Sequence, residues 1–222
     1  MNKTNADAVA MLTELKAAVA GVENVGIVIG APFTALSDAV KAVEGSNIKI
    51  AAQNMYPKAS GAYTGEVSIP MLKDLGVTWC IIGHSERRTY DNETNEKCNK
   101  KIVKLIHNDM VPVYCCGETL TQFENGETKK VVEEQIRVGL ANLCEKCISK
   151  VVIAYEPVWS IGTGKNASKE IAQDVCHFIR KEVAKLYGRK VANRVIIQYG
   201  GSVKPNNVRE YLTQPDIDGS LL

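Results

Sequence analysis

The sequence has few features of a membrane or nucleic-acid-binding protein. It lacks an apolar run of the roughly 18 residues needed to span a bilayer, and residues 1–20 contain charges where a leader would have an apolar core. The 27 basic and 25 acidic residues give a net charge of +2 and are spread along the chain, without a basic block interleaved with aromatics. These absences predict a cytoplasmic protein that binds neither membrane nor nucleic acid.

Cysteine and histidine also lack the spacing of a metal site. The three histidines lie far apart, and the seven cysteines are an odd number, irregularly spaced. A chain of 222 residues folds without disulfide staples, so reduced thiols are predicted. Cys144 and Cys147 form a lone CxxC, for which a redox or zinc role stays as an alternative, although no second CxxC or histidine pair completes four ligands. We expect no metal.

Apolar β-branched runs alternate with longer amphipathic stretches. Continuous apolar strands separated by helices are typical of a parallel sheet buried on both faces. Strands are predicted near residues 25–29, 48–52, 78–83, 111–116, 151–155 and 194–199, and helices near 6–19, 34–43, 68–75, 93–108, 128–144, 168–186 and 204–212.

The repeating pattern predicts a (β/α)8 barrel. Residues 216–222 begin like a seventh strand, and because the chain opens on a helix, a further strand is expected before residue 1. Eight such units close into one barrel, whose chemistry sits on loops at the carboxyl ends of the strands. No linker divides the chain, so residues 1–222 are predicted to be one domain, incomplete at both ends.

Glu156 follows an apolar run and precedes a loop in which a proline restricts the backbone and glycines leave it free. Pro157 fixes φ, whereas Gly162 gives the backbone freedom, a combination suited to closing over a ligand. A charged residue after a buried strand is often simply where the chain meets water. Trp159 and Ile161 are large apolar residues inside this loop and are expected to cover something, which favours instead a general base beneath a lid.

His84 follows another predicted strand and precedes a short polar turn, whose amide groups favour a neutral ring. A carboxylate and a neutral imidazole at one mouth suit proton abstraction next to a carbonyl, in which Glu156 takes the carbon-bound proton and His84 stabilises the enediolate oxygen. A hydrolase triad of His84, Ser85 and Glu86 fails, because adjacent residues cannot present nucleophile, base and orienting acid in line.

Two glycine-containing segments suggest anion binding. Gly200, Gly201 and Ser202 follow a strand and resemble a phosphate cradle, with an ordinary Gly-Gly turn as the alternative. Residues 162–167 match G-x-G-x-x-A, but six residues separate this motif from the strand. That spacing does not support the alternative of a nicotinamide-dependent oxidoreductase.

Four blocks together resemble the triosephosphate isomerase family over essentially the whole chain. They are Ala51-Ala52-Gln53-Asn54 with residues 60–66, then residues 83–88, 154–165 and 199–203. The resemblance implies interconversion of dihydroxyacetone phosphate and glyceraldehyde 3-phosphate in glycolysis and gluconeogenesis, without cofactor or metal. Members of this family exemplify a neutral histidine at a helix N-terminus and loop closure that excludes water.

The resemblance also assigns roles to individual residues. It makes Glu156 the base and His84 the electrophile. It further implies supporting residues Asn54, Glu86 and Cys115, phosphate-binding residues Gly162 and Ser202, and lid residues and their partners Pro157, Val158, Trp159, Tyr199, Gly200 and Gly201.

The family is dimeric, which implies a homodimer here. The loop from Gln53 to Glu66 resembles the one that inserts into the partner subunit, with Thr64 and Gly65 near its tip.

Both termini fall short of the family pattern. The family has an Asn-x-Lys at the end of its first strand; Met1-Asn2 resembles the tail of that block, so Lys3 is not given the catalytic lysine's role. Residues 218–222 resemble the last strand just before a phosphate-contacting Gly-Gly pair. We expect a longer protein. If the molecule is this short, we expect no isomerase activity, and the alternative is an inactive barrel fragment that binds phosphate or a partner.

Overall fold

The fold is a parallel sheet of seven strands joined by helices. The computed structural model describes residues 1–161 and 166–222. The strands lie side by side in chain order, β1 to β7, and every neighbouring pair is parallel. This is the predicted succession of barrel strands. They are β1 (Ile27–Ala31), β2 (Ile48–Ala52), β3 (Trp79–Ile82), β4 (Val111–Cys116), β5 (Val152–Tyr155), β6 (Ile196–Tyr199) and β7 (Gly219–Ser220).

Helices connect the strands and cover one face of the sheet. Short 3-10 helices span Phe33–Ala35 and Val158–Ser160. The α-helices in the described residues are α1 (Asn5–Ala18), α2 (Leu36–Ala42), α3 (Ile69–Asp74), α4 (Ser85–Tyr90), α5 (Asn95–His107), α6 (Leu120–Glu124), α7 (Thr128–Gly139), α8 (Glu145–Ile148), α9 (Lys169–Tyr187), α10 (Arg189–Ala192) and α11 (Val208–Leu212).

Side chains of the central strands β4 and β5 alternate between two separate apolar cores. In β5, Ile153 and Tyr155 belong to the large core between sheet and helices. Val152 and Ala154 belong to a small core on the other face, where they meet Val113 and Cys115 of β4. The two-residue period of a strand produces this division, and burial on both faces explains why the strands read as continuous apolar runs.

Several helices begin at a side-chain cap that the sequence supplies. Thr4 and Thr119 each form a reciprocal capping box with the third helical residue, and Thr94 and Ser168 accept hydrogen bonds from Lys97 and Ile171 amides. A cap of this kind is worth roughly 1 kcal/mol, because it satisfies an amide group that the helix itself leaves unpaired.

One predicted helix and one cysteine prediction are wrong. The helix expected over residues 128–144 ends at Gly139, and Asn142 then takes a φ of 60° that breaks the helical path. Cys144 caps a separate short helix, α8, and is joined to Cys147 by a disulfide, where reduced thiols were expected. One helical turn between the two cysteines brings their sulfurs together.

Among the described residues, no helix combines the length and apolar character needed to cross a membrane.

Candidate functional site

Glu156 and His84 meet at the carboxyl ends of the strands. Glu156 directly follows β5, and His84 comes two residues after β3 and caps α4. The Nε2 atom of His84 lies 2.9 Å from Oε1 of Glu156. The Glu156 carboxylate is almost completely buried, whereas the His84 side chain is 31% exposed. The pair predicted from the sequence is therefore brought into direct contact, with one side reachable from solvent.

Ser85 supplies further hydrogen bonds to the Glu156 carboxylate. Its backbone amide donates to Oε2 at 3.1 Å, and its hydroxyl donates to Oε1 at 3.5 Å. The carboxylate thus has donors on both oxygens although it lies in the protein interior. Burial of a charge requires such partners.

The two nitrogens of His84 have different partners. The Glu86 amide donates to Nδ1 at 3.3 Å, so Nδ1 acts as an acceptor and the ring proton lies on Nε2, directed at Glu156. The hydrogen bond to Glu156 raises the pKa of His84 above its ordinary value, and burial of the ring opposes this rise. The α4 amide favours the neutral ring that the sequence predicts, and the Glu156 carboxylate favours the protonated one.

Glycines let the backbone segments of the site approach closely. A Cβ on Gly117, after β4, would lie 1.8 Å from the backbone oxygen of Glu156. Gly83 has a φ of 73° and packs against the Cys115 carbonyl, which also accepts from Arg88 Nη2 at 3.0 Å. A side chain at Gly117 would displace the base, so this position requires glycine.

Cys115 belongs to the small core and lies close to Glu156. It is fully buried. Burial, and then the nearby Glu156 carboxylate, raise the pKa of the Cys115 thiol well above its ordinary value. The thiol therefore stays protonated and presents a neutral neighbour to Glu156.

Glu118 anchors the start of the predicted lid, a role that the sequence reasoning missed. It is fully buried at the end of β4, and burial raises the pKa of its carboxyl group. It accepts hydrogen bonds from Trp159 Nε1 at 2.8 Å and from the Tyr155 hydroxyl at 3.1 Å, and its carbonyl accepts from the Val158 amide at 3.1 Å. The sequence feature that could have indicated this role is the position of Glu118, a carboxylate soon after a buried strand.

Trp159 is buried and also makes a stacking contact. Its ring lies 4.1 Å from that of Phe123 on α6, with 24° between the planes. Pro157 is also buried, and Val158 is half-buried, whereas Ile161 is exposed. Gly162, predicted to bind phosphate, lies outside the described residues.

The segment after β6 packs against the same lid. Gly200 donates its amide to the Tyr155 carbonyl at 2.7 Å, and a Cβ there would be 3.1 Å from Cγ of Glu156. A Cβ on Gly201 would lie 2.1 Å from the Tyr199 hydroxyl and 3.0 Å from Oγ of Ser160. Gly200 thus packs against Glu156, and Gly201 packs against Tyr199 and against Ser160 of the predicted lid segment.

Ser202 follows Gly201 in this turn. It is half-buried, and its carbonyl accepts from Asn207 Nδ2 at 3.2 Å. The predicted phosphate-binding residue therefore lies beside the lid partner Gly201, on the turn after β6.

Asn54 belongs to a buried ionic network that sequence reasoning missed. It accepts a hydrogen bond from Lys101 Nζ at 2.7 Å, and Lys101 pairs with Glu93. Glu93 Oε2 accepts from the Gly83 amide at 3.0 Å, next to His84. Asn54 is thus linked to the site indirectly, through Lys101 and Glu93. Glu86, the other predicted bracing residue, contacts His84 through its amide, and its carboxylate is exposed.

The loop from Gln53 to Glu66 projects from the sheet after β2. Its base closes where the Tyr56 amide donates to the Val67 carbonyl at 2.8 Å. The residues predicted at its tip, Thr64, Gly65 and Glu66, are exposed.

No cluster of three or more metal-ligating side chains occurs within residues 1–161 and 166–222. The site consists of a buried carboxylate, an imidazole and backbone amides.

A parallel strand–helix fold with a buried carboxylate and a histidine at its carboxyl ends defines an acid–base enzyme of the β/α-barrel type. A family model described as triosephosphate isomerase matches residues 1–222. The chain belongs to the triosephosphate isomerase family and is an isomerase.

Relatives agree with this assignment over the whole chain. A triosephosphate isomerase of Fusobacterium nucleatum is 54% identical over 222 residues, which are 100% of this chain and 88% of that relative. Triosephosphate isomerases of Clostridium beijerinckii and Carboxydothermus hydrogenoformans are each 49% identical over all of this chain, which covers 89% and 88% of their lengths.

Proposed function

We propose that the protein interconverts dihydroxyacetone phosphate and D-glyceraldehyde 3-phosphate through an enediolate. The contact between His84 Nε2 and the buried Glu156 carboxylate, 2.9 Å, carries this proposal. It joins a proton acceptor to a proton donor at the mouth where substrates of such folds bind. The similarity to triosephosphate isomerases of bacteria supports the choice of triose phosphates as substrates.

In the proposed reaction Glu156 removes the carbon-bound proton. Burial leaves the carboxylate few water molecules, so it is a stronger base toward carbon than in solution. The Ser85 amide and hydroxyl occupy the two oxygens of the Glu156 carboxylate. The carboxylate therefore has to exchange Ser85 for the substrate as its partner before it can remove the proton. A positioned base of this kind contributes roughly 10²–10⁴-fold.

His84 acts as the electrophile. Its Nε2–H points into the site, and the Glu86 amide occupies Nδ1. When the carboxylate turns to the substrate, Nε2–H is free to donate to the carbonyl oxygen and stabilise the negative charge that develops there. Cys115 and the network around Asn54 support the base and the histidine segment.

The segment from Pro157 to Trp159 is proposed to start a lid that closes on the substrate phosphate. Gly162 and Ser202 are the proposed phosphate donors, and Tyr199, Gly200 and Gly201 change conformation as the lid closes. Release of Trp159 from Glu118 is the contact change that accompanies closure. Exclusion of water then protects the enediolate.

We further propose that residues 1–222 form one barrel domain, that two copies associate through the loop from Gln53 to Glu66, and that the enzyme serves glycolysis and gluconeogenesis in the cytoplasm. The exposed tip at Thr64, Gly65 and Glu66 supports a role in contact with a partner.

The test is a coupled assay of the full-length protein with glyceraldehyde 3-phosphate, in which glycerol-phosphate dehydrogenase consumes the dihydroxyacetone phosphate and NADH absorbance reports the rate. The reverse direction is followed with dihydroxyacetone phosphate as substrate and glyceraldehyde-phosphate dehydrogenase with NAD⁺ as the coupling system. We expect turnover in both directions without added metal, and no loss with a chelator. A folded full-length protein without turnover of either triose phosphate would contradict the proposal.

A further inference from the structure

Cys144 and Cys147 form a surface feature that the isomerase site does not use. Cys144 caps the short helix α8 and Cys147 lies within it. This helix precedes the amino end of β5, whereas Glu156 follows the carboxyl end of the same strand. Their Cα atoms are 4.9 Å apart, inside the range that a disulfide bridges without backbone movement.

The surrounding backbone holds the two cysteines in place. The Leu143 amide donates to the Tyr187 hydroxyl at 3.3 Å, and that hydroxyl donates to the Leu140 carbonyl, which ties the segment before Cys144 to the end of α9. After Cys147, Ile148 is fully buried. Both flanks are therefore anchored independently of the sulfur–sulfur bond, and the bond can open without a change of fold.

The two cysteines differ in exposure and in hydrogen bonding. Cys144 is exposed, whereas Cys147 is partly buried and packs against the large core. The Cys147 amide donates to Sγ of Cys144 at 3.1 Å. An amide directed at sulfur favours the thiolate, which is the nucleophile in exchange. Cys144 thus has the properties of an attacking thiol, and Cys147 those of a resolving thiol.

A purely structural role explains this disulfide poorly. The stabilisation from a cross-link falls as the closed loop shortens, and here the cysteines are three positions apart. A chain with two apolar cores does not need such a staple. The described residues also hold no third ligand for a metal at this place.

We propose that Cys144 and Cys147 form a reversible thiol–disulfide site that exchanges with the disulfides of low-molecular-weight thiols. The Cys144 thiolate attacks one sulfur of the small disulfide, so a mixed disulfide forms and one small thiolate leaves. The Cys147 thiolate then attacks Sγ of Cys144, which closes the protein disulfide and releases the second small thiolate. Two protein thiols are oxidised and one small disulfide is reduced to two thiols.

The test uses oxidised glutathione as the probe and mass as the readout, so it is independent of isomerase turnover. The full-length protein is reduced, freed of reductant under argon and equilibrated at graded ratios of reduced to oxidised glutathione. We expect a loss of two hydrogens that reverses with added thiol, with peptide mapping placing it at Cys144 and Cys147. No loss of two hydrogens at any ratio would overturn the proposal.

Single variants separate the two roles. Cys147→Ser should accumulate one glutathionyl adduct on Cys144, because no resolving thiol remains, and Cys144→Ser should form at least about fivefold less adduct on the recessed Cys147. Equal adduct in the two variants would contradict the assigned roles. The five other cysteines, all buried, serve as internal controls that stay unmodified in the folded protein.

A matched control tests whether exposure alone suffices. Ser149→Cys in a protein lacking both Cys144 and Cys147 places a lone thiol on the same exposed surface. It should form a mixed disulfide but never lose two hydrogens. If this control closed an internal disulfide, the loss of two hydrogens would not require the Cys144–Cys147 pair, and the proposal would fail.

Discussion

The two ends of the sheet both carry charged clusters, but the clusters are built differently. At the amino ends of β6 and β7, Arg180 donates to Asp216 at 2.6 Å, to Asp218 at 2.8 Å and to the Ala192 and Val195 carbonyls. At the carboxyl ends, the Glu156 carboxylate is held by His84 and Ser85. The Arg180 cluster joins α9 to the segments that enter β6 and β7, whereas the Glu156 cluster faces the solvent-accessible side of the site.

The partners explain what each cluster can do. Asp216 also accepts from Gln173 at 2.7 Å and contacts His177 at 2.9 Å, so its carboxylate is enclosed by groups of the fold itself. Glu156 instead accepts one of its hydrogen bonds from a partly exposed imidazole that a substrate can reach. We therefore infer that the cluster at the amino ends serves stability and that the one at the carboxyl ends serves the proposed chemistry, as is general for barrels of this type.

The largest effect should follow from Glu156→Gln. The amide keeps the shape of the side chain, but only its single oxygen can accept a hydrogen bond from Ser85 or His84, and it cannot take a proton from carbon. We expect kcat to fall on the order of 10³-fold with the midpoint of thermal unfolding nearly unchanged. Steady-state kinetics and circular dichroism of the full-length variant measure both quantities.

Glu156→Asp is the matched control for this variant. It keeps the charge but withdraws the carboxylate by one methylene, and a displacement of about 1 Å costs on the order of 100-fold. Near-normal turnover in both variants would mean that Glu156 is not the base.

A somewhat smaller loss is expected for His84→Gln. The variant removes the Nε2–H that stabilises the developing oxyanion, and loss of one such donor costs about 10²–10³-fold in kcat. Kinetic analysis should place the loss in kcat and not in KM, since the donor acts on the transition state. An unchanged kcat with a raised KM would mean that His84 only binds the substrate and does not stabilise the transition state.

Arg180→Met tests the opposite end of the sheet. It leaves Asp216, Asp218 and two carbonyls without their donor, which should lower the free energy of unfolding by about 3 kcal/mol. Turnover per folded molecule should stay within about twofold, because the site lies at the other end of the strands. Urea denaturation at fixed protein concentration, with activity measured on the same samples, provides both values.

Lys150→Ala is the control at the same end. Lys150 pairs with Asp109 at 3.1 Å, but both side chains are largely exposed, so little change in stability is expected. If this variant destabilised the protein as much as Arg180→Met, burial of the Arg180 network would not be the cause.

The smallest effect concerns pH. The pKa of His84 is raised by Glu156, so the pair stabilises the folded state fully below the unfolded value of about 6.5, and this contribution is lost as pH rises through the higher folded pKa. NMR titration of the full-length protein should place the His84 midpoint above about 6.5, and Glu156→Gln should lower it. A midpoint that does not respond to Glu156→Gln would contradict the direct contact.

The sequence predicted strands better than helix ends. The strands Ile48–Ala52 and Val111–Cys116 agree with their predicted bounds, because continuous β-branched runs have clear limits. The helix predicted over 128–144 was too long, since apolar residues continue past Gly139 at helical spacing. The positive φ of Asn142 depends on how the segment packs and has no strong local signal.

The contact between Glu156 and His84 was predictable, whereas the residues that hold this pair were not. Glu156 and His84 stand at strand ends, and parallel strands bring those ends together. Glu93 and Lys101 lie eight positions apart near one helix, a pattern typical of a solvated face, and only the packing of that helix against Asn54 buries them. The contact of Glu118 with Trp159 spans 41 positions and likewise follows from the fold.

The most direct test of the account is proton exchange at carbon in deuterated water. Dihydroxyacetone phosphate is incubated with the full-length protein, and ¹H NMR follows replacement of its C1 hydrogen. We expect exchange together with formation of glyceraldehyde 3-phosphate for the wild type, and loss of both in Glu156→Gln. Exchange by Glu156→Gln at the wild-type rate would contradict the claim that Glu156, held by His84 and Ser85, is the base.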